Sequence, residues 1–133
     1  MEKIKLPRTG DRPVEFLGRL IAEASSQQRE GNGPCKNRYH ELALYGTESG
    51  KYVIAIGYRT HWQGELPEDE VFVEDSIASA VETLRTTIPE LPLYGFPPGQ
   101  HYDERRAHVM GAVRKCYEHA VGKLLANVKP EQL

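Results

Sequence analysis

The chain has 133 residues, 39% of them hydrophobic, and its 17 lysines and arginines against 19 aspartates and glutamates leave a formal net charge of -2. This length is typical of one domain with its own core, and the near-neutral balance argues against a dedicated nucleic-acid-binding protein, which needs a strongly basic surface. The sequence contains no apolar stretch near the roughly 20 residues of a membrane span and no signal-peptide core, so we expect a soluble, cytoplasmic protein without membrane contact.

The domain is expected to begin after a short charged segment. Residues 1–12 contain Pro7 and Gly10 and are interpreted as an N-terminal lead-in. A single domain is predicted over residues 13–128, with a C-terminal tail at 129–133.

The first predicted strand covers residues 13–23, where apolar side chains alternate. One face is expected to carry Val14, Phe16, Leu20 and Ala22, and the other Leu17 and Ile21. Residues 24–37 follow and are rich in Ser, Gln, Gly and Asn, so they are predicted to form a long, exposed and mobile loop.

A β-hairpin is the clearest predicted unit, with strands at 38–45 and 51–59. Gly50 can take the positive φ that a short connection requires. The second strand is apolar on both faces, which indicates a central place in the sheet. An acidic turn then leads into a short strand around 71–73.

Two helices complete the predicted fold. Helical periodicity covers residues 76–87, with Asp75 or Ser76 as the cap and Pro89 as the terminator. The proline-rich segment 90–100 is predicted to be an extended crossing. A last helix is predicted at 103–127, with Asp103 as its N-cap. The fold class is therefore α+β, with a small antiparallel sheet of three to four strands and two helices packed on one face.

No cofactor, metal site or catalytic residue is predicted, because the sequence carries no glycine-rich nucleotide-binding, hydrolase or zinc-protease motif. Cys35 and Cys116 lack the spacing of a zinc or redox pair. One long-range disulfide is possible by count, but two free thiols in a reducing compartment are expected. His108 and His119 are expected on the solvent face of the last helix, too far apart for one metal ion.

The predicted binding surface lies where the second hairpin strand ends. Arg59, His61 and Trp62 occur there together, and arginine and tryptophan are enriched among residues that dominate protein interfaces. The preceding loop adds three cations to this surface, Arg29, Lys36 and Arg38. We expect a small adaptor protein that modulates a larger protein partner through these residues.

Other interpretations remain open. The same aromatic and basic residues could bind nucleic acid, or His40 or His61 could pair with a carboxylate in a small-molecule enzyme. In a purely structural role, Trp62 would cap the core and Arg59 would pair with the acidic residues 68–70.

A homodimer is possible if the sheet leaves an apolar face uncovered. That face was expected to carry Leu17, Ile21 and Val53. The general style of the chain is that of small bacterial, phage or plasmid proteins, without a motif that identifies a family.

Overall fold

The computed structural model describes residues 1–28, 31, 33–87, 91 and 96–130. It contains an antiparallel sheet with the strand order β1-β2-β3-β4-β5. The elements are β1 (Glu2–Arg8), β2 (Asp11–Ser25), β3 (Arg38–Thr47), β4 (Tyr52–Thr60), β5 (Glu68–Glu74), α1 (Ile77–Thr86) and α2 (Tyr102–Ala126). The α+β class is confirmed, but the sheet has five strands rather than three to four.

The additional strand is β1, formed by residues that the sequence analysis assigned to a lead-in. Ile4 and Leu6 alternate with lysines along it, and Leu6 is buried. Pro7 stands near its end, and Gly10, with φ of 76°, makes the tight turn into β2. The proline and glycine that suggested an irregular segment therefore mark the end of a strand.

A β-bulge in β2 changes which face its side chains occupy. Leu20 pairs with Tyr45, but Ala22 pairs with Leu44, so one extra residue, Ile21, is inserted. The expected single face with Val14, Phe16, Leu20 and Ala22 is therefore wrong. Ala22 joins the helix-covered core, whereas Leu20 stays 43% exposed.

The main core lies between the helices and one face of the hairpin β3–β4, whose prediction is confirmed. Alternate strand residues point to this face because the side-chain period of a strand is two. Gly50 closes the turn with φ of 86°. The buried residues of this core are Ala22, Leu42, Leu44, Ile54, Ile56, Ala80, Leu84, Tyr117, Ala120, Val121 and Leu124.

Both predicted helices are present. Ser76 caps α1, its hydroxyl accepting a hydrogen bond from the Ser79 amide at 3.0 Å. The N-cap position of α2 is His101, at φ of 57° and without a side-chain cap, so the expected cap at Asp103 is wrong. The Pro89 terminator and residues 90 and 92–95 of the predicted crossing lie outside the described residues.

The exposed face of α2 agrees with the sequence analysis, since His108 and His119 are both exposed. Within the described part of the chain, neither helix has the length and apolar character needed to cross a membrane.

The sheet curls until its two edges meet on the side away from the helices. The Thr9 amide donates to the Asp69 carbonyl at 2.8 Å, and the Asp69 amide donates to the Thr9 hydroxyl at 2.7 Å. The three residues expected to form an apolar dimer face do not form one, because Val53 is buried and Ile21 packs on the core while Leu17 is exposed. A homodimer stays a prediction, without that face to support it.

The expectation of two free thiols is wrong, because Cys35 and Cys116 form a disulfide. The two cysteines are 81 residues apart in sequence, so their spacing does not indicate that they form a disulfide. Cys35 is fully buried, and the Gln28 amide donates to its carbonyl at 3.1 Å. The segment after β2 is therefore anchored to α2 at Cys35, although Gly31, Pro34, Lys36 and Asn37 are exposed as expected.

Candidate functional site

A buried ion pair lies at the end of β4, where the binding surface was predicted. The Arg38 guanidinium donates to both carboxylate oxygens of Glu65, with its Nη2 2.6 Å from Oε2. The two side chains are 4% and 0% exposed. Arg38 was expected to contact a partner, but it is buried and neutralised within the domain.

Two further hydrogen bonds converge on the Glu65 carboxylate. The Tyr58 hydroxyl donates to it at 2.9 Å and the Thr60 hydroxyl at 3.0 Å. Burial alone would raise the pKa of Glu65, but the hydrogen bonds from Arg38, Tyr58 and Thr60 outweigh it and hold the pKa below its usual range. Glu65 therefore stays charged and fixes the end of β4 to the start of β3.

An exposed surface that includes Trp62 and Leu66 lies next to this ion pair. We call His61, Trp62 and Leu66 the tryptophan corner. Trp62 is 44% exposed and Leu66 69% exposed, and the Arg38 guanidinium lies 4.6 Å from the centre of the indole ring. The Trp62 amide also donates to the Thr60 hydroxyl at 3.1 Å. The Arg38 guanidinium thus holds one face of the indole ring, while the rest of the ring is open to solvent.

The other residues of the predicted binding surface do not all lie together in the structure. The His61 amide donates to the Asn37 carbonyl at 2.9 Å, which brings the exposed Lys36 next to the tryptophan corner. The His61 ring packs edge-on against Tyr39, with centroids 5.8 Å apart. Arg29 lies outside the described residues.

Arg59 does not belong to the tryptophan corner. Because strand side chains alternate, it points to the concave face of the sheet, away from Arg38. Its guanidinium lies 2.8 Å from Asp69 and 3.6 Å from Glu41. The interpretation that Arg59 pairs with the acidic residues after the turn is confirmed at Asp69.

His40 has no acid–base partner within the described part of the chain. Its side chain is 1% exposed, and neither ring nitrogen has a hydrogen-bond partner there. The rings of Tyr58 and Tyr117 flank it with centroids at 5.4 Å and 5.3 Å. The arrangement therefore lacks the carboxylate that the enzyme interpretation required of His40.

The burial of His40 predicts a pH-dependent stability. Burial lowers the pKa of His40 from 6.5 to about 4, so the unfolded chain binds this proton more readily than the folded one. Stability from this group is complete above about pH 6.5 and falls as the pH drops towards 4, by about 3 kcal/mol in total. Urea unfolding at pH 7, 5.5 and 4 measures the loss.

His40→Phe separates this effect from the titration of carboxylates, because it keeps an aromatic ring between the two tyrosines. The variant should lose less stability than the wild type between pH 7 and 4, while the exposed-site control His119→Gln should follow the wild type. An unchanged pH dependence in His40→Phe contradicts the prediction.

Sequence reasoning missed the burial of Glu65, which it placed after the second hairpin strand as the first residue of an acidic run. It also missed the concave face, where Arg59 lies between Asp69 and Glu41 and where Glu23 lines the same cavity. The hairpin does carry a sequence signal for a cavity on this face, since Ala43 and Ala55 place small side chains on one face of two central strands.

Comparison with family models, curated proteins and solved structures finds no match.

Proposed function

We propose that the protein is an adaptor that docks on a larger protein partner through the tryptophan corner. The observation that supports this proposal is the partly exposed Trp62, held on the buried Arg38–Glu65 pair. Tryptophan is enriched among residues that dominate binding energy. A side chain already held in place loses little conformational freedom on binding, which favours affinity.

Nucleic acid is a weaker candidate for the same surface. Arg38 is neutralised by Glu65, and Arg59 points to the concave face, where Asp69 and Glu41 neutralise it. Of the predicted cations that the structure describes, only Lys36 remains exposed without an ion pair beside the corner. Binding that depends on phosphate contacts needs more free cations than this.

A cytoplasmic location remains a prediction. The Cys35–Cys116 bond bears against it, because disulfides are rare in the cytosol. Alkylation of the protein in freshly lysed host cells, before any air oxidation, measures the bond in its own compartment.

The adaptor proposal predicts that Trp62→Ala weakens partner capture about 30-fold, the loss typical of an interface hot spot. Wild type, Trp62→Ala and the control Val73→Ala are immobilised and exposed to host lysate. Val73 is a matched control because it is 54% exposed on an edge strand. A captured protein is identified, purified and titrated against all three baits.

The decisive result is a partner that loses affinity for Trp62→Ala and keeps it for Val73→Ala, with both variants melting as the wild type does. Equal affinity for Trp62→Ala and wild type, or no partner for the wild type, contradicts the proposal. A parallel nuclease-treated lysate tests the nucleic-acid alternative, because that interaction would disappear.

A further inference from the structure

The concave face of the curled sheet forms a cavity of about 450 Å³ that is open to solvent. Its wall is formed by the central strands and by β1, which the curl brings round to β5. The volume lies within the range of small-molecule binding sites. Residues that line it include Glu23, Glu41, Tyr45, Ala55, Arg59 and Asp69.

Small residues on the central strands create this space. Ala43 pairs with Ala55 across β3 and β4, and Glu41 pairs with Gly57 one step along the same face. A methyl group at Gly57 would stand 2.7 Å from a guanidinium nitrogen of Arg59. The glycine therefore makes room for Arg59 to lie along the floor, and the two alanines leave an apolar area beside it.

The charges that line the cavity do not balance. Arg59 lies between Asp69 and Glu41, so its single positive charge faces two negative charges. Glu23 and Glu70 add two more carboxylates, and Glu23 makes no ion pair within the described part of the chain. Burial, and then the charges of Glu23 and Glu2, raise the pKa of Tyr45 at the same wall. The site therefore has a net negative charge, and its one cation, Arg59, is already paired.

We propose that this cavity binds a small organic cation, with its ammonium or guanidinium group at Glu23 and a short aliphatic body over Ala43 and Ala55. A bare metal ion fits less well, because no group of three metal-ligating side chains occurs among the described residues. An anion would meet Asp69 and Glu41 before it reached Arg59, which both already contact.

The test compares three small aliphatic probes: butylammonium, butylguanidinium and butyrate. Backbone amide shifts of the 15N-labelled protein are followed during each titration at low salt. The two cations should shift the amides of Ala43, Ala55 and Gly57, with dissociation constants on the order of 1 mM. Butyrate should shift none of them.

Glu23→Gln removes the charge and keeps the shape of an exposed side chain, so the fold should be preserved. It should weaken both cationic probes about threefold to fivefold, the effect of one partly exposed ion pair. The matched control is Glu118→Gln, an exposed glutamate on α2. It should leave both dissociation constants unchanged, as should Trp62→Ala, which separates this site from the adaptor surface.

A second variant tests the floor without changing the charge. Ala55→Leu fills the cavity and should abolish the amide shifts from both cations, provided that its amide spectrum is that of a folded protein. If it unfolds, Glu23→Gln decides. Equal shifts from butyrate, an unchanged affinity in Glu23→Gln, or no shifts from the cations at Ala43 and Ala55 would overturn the proposal.

Discussion

Reducing the Cys35–Cys116 disulfide should lower the free energy of unfolding by about 4 kcal/mol. The bond spans 81 residues, and a cross-link of that length removes a large part of the conformational freedom of the unfolded chain. It also ties the segment after β2 to the middle of α2, where Cys35 is fully buried. The melting temperature should fall by about 15 °C for a chain of this size.

Thermal and urea unfolding with and without dithiothreitol measure this effect. The reduced wild type keeps both sulfur atoms, so it isolates the loss of the cross-link from the loss of packing. Cys35→Ala/Cys116→Ala should be destabilised at least as much and should not respond to the reductant. Equal stability of the oxidised and reduced wild type, with reduction verified by thiol titration, would contradict the prediction.

Removing the negative charge from the buried Arg38–Glu65 pair should lower the free energy of unfolding by a similar amount. Glu65→Gln keeps the shape of the side chain but leaves the Arg38 guanidinium buried without its counter-charge. Removing one partner of such a pair typically costs about 3–5 kcal/mol, because an uncompensated charge stays in the interior. The neutral amide also weakens the hydrogen bonds received from Tyr58 and Thr60.

A double variant distinguishes the stranded charge from the loss of the pair itself. Arg38→Met/Glu65→Gln should recover part of the stability that Glu65→Gln loses, since the buried cation is gone. Urea unfolding measures all three proteins, with the exposed Glu48→Gln as control. An equal or greater loss in the double variant would show that the charge is not the main cost.

The same variants have a local optical readout. Trp62 is the only tryptophan in the chain and lies on the Arg38 guanidinium. Its fluorescence should therefore change in Glu65→Gln and in Arg38→Met/Glu65→Gln at concentrations of urea where both remain folded. An unchanged emission spectrum would show that the tryptophan corner does not depend on the ion pair beneath it.

The elements that were predicted well are those whose pattern is local. The hairpin β3–β4 alternates over its whole length and carries Gly50 at the turn, and α1 begins at a capping serine. Each of these signals lies within a few residues of the structure that it specifies. They are sufficient for the α+β class and for the position of four of the five strands.

The candidate surface was predicted only in part, because side-chain environment is not local. Trp62 and His61 are exposed as expected, but Arg38 is paired with a glutamate 27 residues away. The composition of the segment drew attention to the right end of the sheet. It indicated that Arg59 could pair with the acidic residues 68–70, but not that Glu65 would neutralise Arg38.

Local patterns in the sequence thus account for four of the five strands and for both helices. The tertiary structure alone decided three features: the face change at the Ile21 bulge, the Cys35–Cys116 bond and the concave cavity. Each depends on how far the sheet twists and curls, which is set by packing summed over the whole chain. A two-residue period specifies two faces of a strand, but only contacts between distant segments specify what each face meets.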